Sequence, residues 1–228
     1  MKHLILLRHG QSQWNLENRF TGWTDVELSD TGLEEARRAG MKMKQAELSP
    51  EICFTSYLRR AIHTLQIALA AMNLDWLPVT KNWHLNERFY GALQGLNKAE
   101  TAKQFGDEQV RIWRRSYDVQ PPAITPDDPR FPGFDPRYND VPRSQLPLTE
   151  SLKDTIERVE PFFNNQIVNA LRTHSTVLIA AHGNSLRGMV MNLLNLSPDD
   201  IASYEIPTGQ PLVFELSDEL QVARHFQL

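Results

Sequence analysis

Thr176-Val177-Leu178-Ile179-Ala180-Ala181 runs directly into His182-Gly183-Asn184-Ser185. A run with no polar alternation reads as a strand buried on both faces, as in the middle of a parallel sheet. The polar residues that follow open a helix through about Leu194. Near the start, Leu4-Ile5-Leu6-Leu7 is followed in the same way by Arg8-His9-Gly10-Gln11-Ser12. Each segment ends an apolar strand in His-Gly-polar-Ser. Ligands of open α/β sheets sit beyond the carboxyl ends of the strands, so His9 and His182 are expected to share one crevice. Either histidine alone reads as an ordinary loop residue; two in matching contexts reverse that weighting. The glycine after each is expected to allow close backbone approach.

Outward from these two strands, Ile52 to Thr55 and Pro211 to Leu216 read as further strands. Helices are expected over Leu33 to Leu48 behind the cap candidate Ser29-Asp30-Thr31-Gly32, over Tyr57 to Met72, and over Asp107 to Tyr117. Another begins after Leu148-Thr149-Glu150-Ser151 and runs to about Arg172, with Pro161 expected to kink or divide it. This alternation predicts an α/β chain, doubly wound, forming one domain over residues 1–228 with residues 97–147 as an insertion. Eight of the 14 prolines lie between Pro121 and Pro147, which predicts a long surface loop without regular structure.

The net charge of −4 excludes broad electrostatic binding to nucleic acid or anionic membrane, so any anion site is local. A single cysteine, Cys53, rules out an intrachain disulfide and a multi-cysteine metal cluster, and fits a reducing cytoplasmic compartment. Four apolar residues before Arg8 are too few for a signal-peptide core or a membrane span.

Several chemistries are disfavoured by what is missing. Neither HExxH nor a paired carboxylate motif accompanies His9 or His182, so no metal is expected. Ser12 and Ser185 both lack the second glycine of a nucleophile elbow, and there is no P-loop. Phosphate is favoured instead. Arg8 adjoins His9, and Thr55-Ser56-Tyr57-Leu58-Arg59-Arg60 places two guanidiniums at a strand-to-helix junction. Lys98, Arg114 and Arg115 add positive charge in the insertion, suited to a second anionic group on the same ligand. The five tryptophans read as packing residues.

Arg8 to Asn15, Asn18-Arg-Phe-Thr-Gly-Trp23, Asn86-Glu-Arg-Phe-Tyr-Gly-Ala-Leu-Gln-Gly-Leu-Asn-Lys98 and Trp113-Arg-Arg-Ser-Tyr117 resemble the 2,3-bisphosphoglycerate-dependent phosphoglycerate mutases. Ala181-His-Gly-Asn-Ser-Leu-Arg187 and Ile206-Pro-Thr-Gly-Gln-Pro-Leu-Val213 extend the similarity over nearly the whole chain. Arg-His-Gly alone indicates only the wider histidine phosphatase superfamily. The resemblance implies a three-layer α/β/α fold with a mostly parallel sheet of about six strands and an insertion over the active site.

It also implies roles. His9 is the nucleophile that carries the phosphoryl group, with Arg8 and Arg60 holding its oxygens and disfavouring protonation of the imidazole. His182 is the protonated donor that stabilises charge on the transferring group, and Glu87 is the acid/base. Gln11, Ser12, Asn15, Thr21, Gly22, Arg88, Tyr90, Lys98, Arg114, Arg115, Gly183 and Asn184 bind substrate. The implied reaction interconverts 3-phosphoglycerate and 2-phosphoglycerate, primed by 2,3-bisphosphoglycerate, with no nucleic-acid or membrane partner and assembly as a homodimer or homotetramer. Three departures bear on it. Gln11 replaces a usual Glu, Phe89 replaces a usual His beside Glu87, and the chain stops at Leu228 where relatives carry a flexible tail. Without that cover, water is expected to compete better and raise phosphatase activity. A phosphatase of the same superfamily is therefore the alternative reading; a non-enzymatic phospholigand-binding module is the third, disfavoured because binding needs neither nucleophile nor acid/base.

Overall fold

The computed structural model describes residues 1–228. In chain order the strands are β1 (Lys2–Arg8), β2 (Ile52–Thr55), β3 (Val79–Lys81), β4 (Thr176–Ala181), β5 (Pro211–Leu216) and β6 (Val222–Gln227). The helices are α1 (Gln13–Leu16), α2 (Asp30–Gln45), α3 (Arg59–Met72), α4 (Lys98–Phe105), α5 (Asp107–Arg115), α6 (Leu152–Phe162), α7 (Val168–Thr173), α8 (Gly183–Leu194) and α9 (Pro198–Ser203). The strands form one sheet in the order β3-β2-β4-β1-β5-β6. β4, without a polar face, lies in its middle and is buried along its whole length. β1 and β2 run parallel to β4, and β3 parallel to β2; β5 is antiparallel to both β1 and β6, so it alone is reversed.

Side-chain alternation along the strands sorts the core into two layers. Leu4, Leu6, Val177, Ile179 and Phe214 pack with residues of α6 and α8, including Val159, Phe162, Leu186 and Met189. Ile5, Leu7, Leu178, Ala180 and Val213 face the other way, onto Ala39 and Met43 of α2 and Leu65, Ala68 and Leu69 of α3. The three layers read from the sequence are thus present, and each fully buried leucine contributes roughly 1.5–3 kcal/mol.

The expected division of the helix at Pro161 is present: α6 ends at Phe162, one residue beyond the proline, and a π-helical turn over Phe163–Ile167 separates it from α7. Other local expectations are corrected. The proline-rich segment is not devoid of regular structure. Short 3₁₀ turns occur at Pro132–Phe134, Pro136–Tyr138 and Arg143–Gln145. They are anchored by an apolar cluster of Trp23, Trp83, Phe89, Ile124, Phe131, Tyr138 and Leu146. Trp76 is not a packing residue, with 76% of its surface exposed. The edge strands β3 and β6 escape a hydrophobicity reading because β3 is exposed throughout and β6 nearly so. No helix is long and apolar enough to cross a membrane.

Candidate active site

The β1–β4 register pairs Arg8 with Ala181, and the ladder extends one step further as the His9 amide donates to the Ala181 carbonyl at 3.0 Å. His9 and His182 therefore leave the sheet side by side, with ring centroids 5.0 Å apart. His9 is 3% exposed. Its Nδ1 lies 2.7 Å from the Gly10 carbonyl, which can only accept, so the ring proton is on Nδ1 and the lone pair on Nε2. Arg60 Nε donates to that Nε2 at 3.3 Å, and the same guanidinium holds the Gly22 carbonyl at 2.8 Å and the Thr24 carbonyl at 3.0 Å. Gly10 earns its place sterically: a Cβ there would lie 2.3 Å from the Gly32 carbonyl oxygen of α2. The expectation does not hold for Gly183, where a Cβ would come no nearer than 3.6 Å to any atom.

His182 is fully buried directly beside His9. Its Nε2 is 2.8 Å from the Ser56 hydroxyl oxygen, which also accepts from the Leu58 amide. That hydroxyl proton has no acceptor other than His182 Nε2, so the imidazole proton resides on Nδ1, which is buried and without a partner. In the sheet β4 separates β2 from β1. Ser56 follows β2 and His9 follows β1, so the His182 ring lies between them, with Nε2 on Ser56 and the His9 ring 5.0 Å away.

Burial, then the charges of Arg60 and Arg8, holds His9 well below the ordinary imidazole value; burial, then Arg60 and His9, does the same for His182. The expectation of a protonated His182 is thus corrected for the free protein, where His182 is a neutral donor. Burial and Arg158 lower His84 to about 4. These shifts fix a pH dependence of stability. Below pH 6.5 the unfolded chain takes up protons that the folded imidazoles refuse, so stability is full above 6.5 and falls as the pH drops. His9 and His182 together are expected to cost about 2 kcal/mol between pH 6.5 and 5.5. Urea midpoints at the two pH values check this, and equal midpoints would contradict it.

Glu87 is carried on an extended loop rather than a helix, so its position has to be enforced from outside. The Arg158 guanidinium donates to the carbonyls of His84 at 2.8 Å, Asn86 at 3.2 Å and Glu87 at 3.1 Å. Arg158 is in turn fixed by two bonds to Glu150, at 2.6 and 2.9 Å, with both side chains nearly buried. Glu150 closes the clamp by accepting the Phe89 amide at 2.8 Å. Phe89 itself packs edge-on to Trp23 in the aromatic cluster, so the departure from histidine anchors the loop instead of facing the carboxylate. Glu87 Oε1 accepts from the Arg88 amide at 2.7 Å and from the Asn184 amide and side chain at 3.1 and 2.8 Å. Oε2 makes no such bond and lies on the side of Gly183.

These groups line a cleft of about 130 Å³. Among the expected residues, Arg8, His9, Asn15, Thr21, Gly22, Arg60, Glu87, Tyr90, Lys98, Arg114, Arg115, Gly183 and Asn184 all line it. Four do not. Ser12 is fully buried as the N-cap of α1, and Gln11 turns to α2, accepting from the Ser29 hydroxyl at 2.8 Å. Arg88 is fully buried against the Tyr90 ring, 4.4 Å from its centroid, and donates to the Arg114 carbonyl. Its Nε and Nη1 are buried and without partners. His182 is the fourth. Sequence reading missed Arg19, Arg187 and Glu205, which also line the cleft.

The wall contains seven cationic side chains, Arg8, Arg19, Arg60, Lys98, Arg114, Arg115 and Arg187, against two carboxylates, Glu87 and Glu205. Burial holds the Lys98 ammonium below its ordinary value, and Arg114, Arg8 and Arg115 add to that while Tyr90 opposes it. Such crowding is relieved by an anionic ligand. The cationic residues of the insertion come from α4 and α5; the proline-rich segment contributes nothing to the cleft and instead buttresses the Glu87 loop through its apolar cluster.

Comparison with known proteins agrees with this architecture. The family model of the histidine phosphatase superfamily (branch 1) matches residues 4–131 and 126–227. A mycobacterial glucosyl-3-phosphoglycerate phosphatase, solved with VO3, superposes with a TM-score of 0.74 at 20% identity, over 100% of this chain and 97% of that one. The alpha-ribazole phosphatase of Shigella flexneri gives a TM-score of 0.70 at 21% identity, covering 97% and 94%. The Bacillus stearothermophilus protein YhfR gives 0.71 at 21%, covering 98% and 96%. At these identities the structural likeness speaks for the fold. The family match spans nearly the whole chain and includes both histidine segments, so this protein belongs to branch 1 of the histidine phosphatase superfamily.

Proposed function

We propose that this protein transfers phosphoryl groups through a phosphohistidine at His9, and that it interconverts 3-phosphoglycerate and 2-phosphoglycerate. The observation that carries the reading is the His9 imidazole, with Nδ1 engaged by Gly10 and an unprotonated Nε2 beside Arg60. Nε2 attacks phosphorus as the bond to the substrate oxygen breaks. The departing alkoxide takes a proton, for which Glu87 Oε2 is the source; in the reverse step the same oxygen receives it from the attacking hydroxyl. Arg8 and Arg60 hold the equatorial oxygens, and His182 Nδ1–H supplies a further donor as charge shifts. Charge-assisted bonds of this kind contribute roughly 1.5–3 kcal/mol each.

The outer wall supports the phosphoglycerate assignment. Lys98, Arg114 and Arg115 suit a second anionic group, which a three-carbon phospho acid carries and a simple alcohol phosphate does not. The bisphosphorylated acid fits the same cationic wall, and when bound it would supply the phosphoryl group that primes His9. A second reading gives the phosphoryl group to water. The names of the similar structures favour it, since the mycobacterial and Shigella proteins are both phosphatases. Timed assays on 3-phosphoglycerate with and without 2,3-bisphosphoglycerate decide between the acceptors. Isomer formed faster than phosphate, and stimulated by the primer, is expected. Phosphate released without isomer would transfer the assignment to hydrolysis.

A further inference from the structure

One feature of the cleft works against the ligand it is built for. In a wall whose other outer charges are cationic, Glu205 presents a carboxylate. Its Oε1 meets Arg115 Nη1 at 2.5 Å, and its Oε2 lies 4.0 Å from Arg187 Nη2. The segment that carries it is stitched into the site from both sides. Arg187 Nε donates to the Tyr204 carbonyl at 2.7 Å, and Arg8 Nη1 donates to the Ile206 carbonyl at 2.7 Å. Two cleft arginines therefore hold the backbone on either side of residue 205, and its side chain is delivered to the outer cations rather than arriving there by chance.

We propose that Glu205 is a resident stand-in for the outer anionic group of the ligand, and that it sets how strongly the site prefers ligands with two anionic ends over ligands with one. The inference rests on the reading of the cleft as a phospho-acid site. A phosphate delivered to His9 meets Arg8 and Arg60, which Glu205 does not engage. A second anionic group has to take Arg115 from Glu205, or accept a carboxylate as neighbour. Arg115 and Glu205 are 39% and 58% exposed, and ion pairs at such positions contribute little net stability, so displacement is possible at modest cost. Glu205 thus weakens binding of the doubly anionic ligand selectively. The opposite role, in which Glu205 merely orients Arg115 for the ligand, predicts the opposite sign.

Isothermal titration of the full chain with 3-phosphoglycerate, and with glycerol 3-phosphate as the probe lacking the carboxylate, tests this. In Glu205→Gln, affinity for 3-phosphoglycerate is expected to rise about three- to tenfold, and that for glycerol 3-phosphate less than twofold. Glu205→Asp, which keeps the charge, should stay near the wild-type ratio, and the gain in Glu205→Gln should shrink at high salt. Weaker 3-phosphoglycerate binding in Glu205→Gln, or an equal gain for both ligands, would overturn the proposal. Phosphohistidine formation is scored separately on the wild-type chain. Its absence would remove the proposed reaction while leaving the ligand ratio to stand or fall alone.

Discussion

His9→Gln is expected to lower phosphoryl transfer by about four orders of magnitude or more, as removal of a covalent nucleophile does elsewhere. Binding of inorganic phosphate should survive, because Arg8, Arg60 and the His182 donor are untouched and the variant keeps a side chain of similar length. The comparison that matters is therefore turnover against phosphate affinity on the same folded protein. Loss of both would indicate a collapsed site. Turnover retained within tenfold would mean that another group accepts the phosphoryl group. The variant carries a second signature: with one of three depressed imidazoles gone and His182 and His84 remaining, its loss of stability between pH 6.5 and 5.5 should be about two thirds that of the wild type.

Glu87→Gln separates acid/base chemistry from positioning. The amide can keep the contacts that Oε1 makes to Asn184 and Arg88, while the free oxygen on the Gly183 side loses its capacity to exchange a proton. Turnover of phosphoglycerate is expected to fall about 10²- to 10⁴-fold. With p-nitrophenyl phosphate, whose leaving group departs without a proton, the loss should stay within about tenfold, because P–O cleavage no longer draws on general acid catalysis. Equal losses on both substrates would show that Glu87 orients the site rather than exchanging protons.

Much of this site was readable before any coordinates. The unbroken apolar runs of β1 and β4 located both histidines, and the shared His-Gly-polar-Ser context implied that they meet, which the register between Arg8 and Ala181 explains. Local signals such as the Ser29 cap of α2 and the Ser151 cap of α6 were equally legible. What was not legible depends on partners remote in sequence. Ser56 acquires its role from His182, 126 positions away, and Glu150 with Arg158 from a loop more than 60 positions earlier. Arg88, a ligand contact by resemblance, is buried against Tyr90, with Nη2 on the Arg114 carbonyl and Nε and Nη1 without partners. Gln11 and Ser12 sit in the most informative motif of the chain and serve its loops instead. The protonation of His182 could not be read from residue type, since burial and neighbouring guanidiniums decide it.

The central claim is that His9 offers Nε2, and only Nε2, to phosphorus. The measurement is the position of the label after brief exposure to a phosphorylated substrate, read by phosphorus NMR and by mass spectrometry under alkaline conditions that preserve phosphohistidine. A single acid-labile phosphoryl group on His9 Nε2 is the expected result. Phosphorylation at Nδ1 of His9, on His182, or at no histidine while turnover proceeds would contradict it.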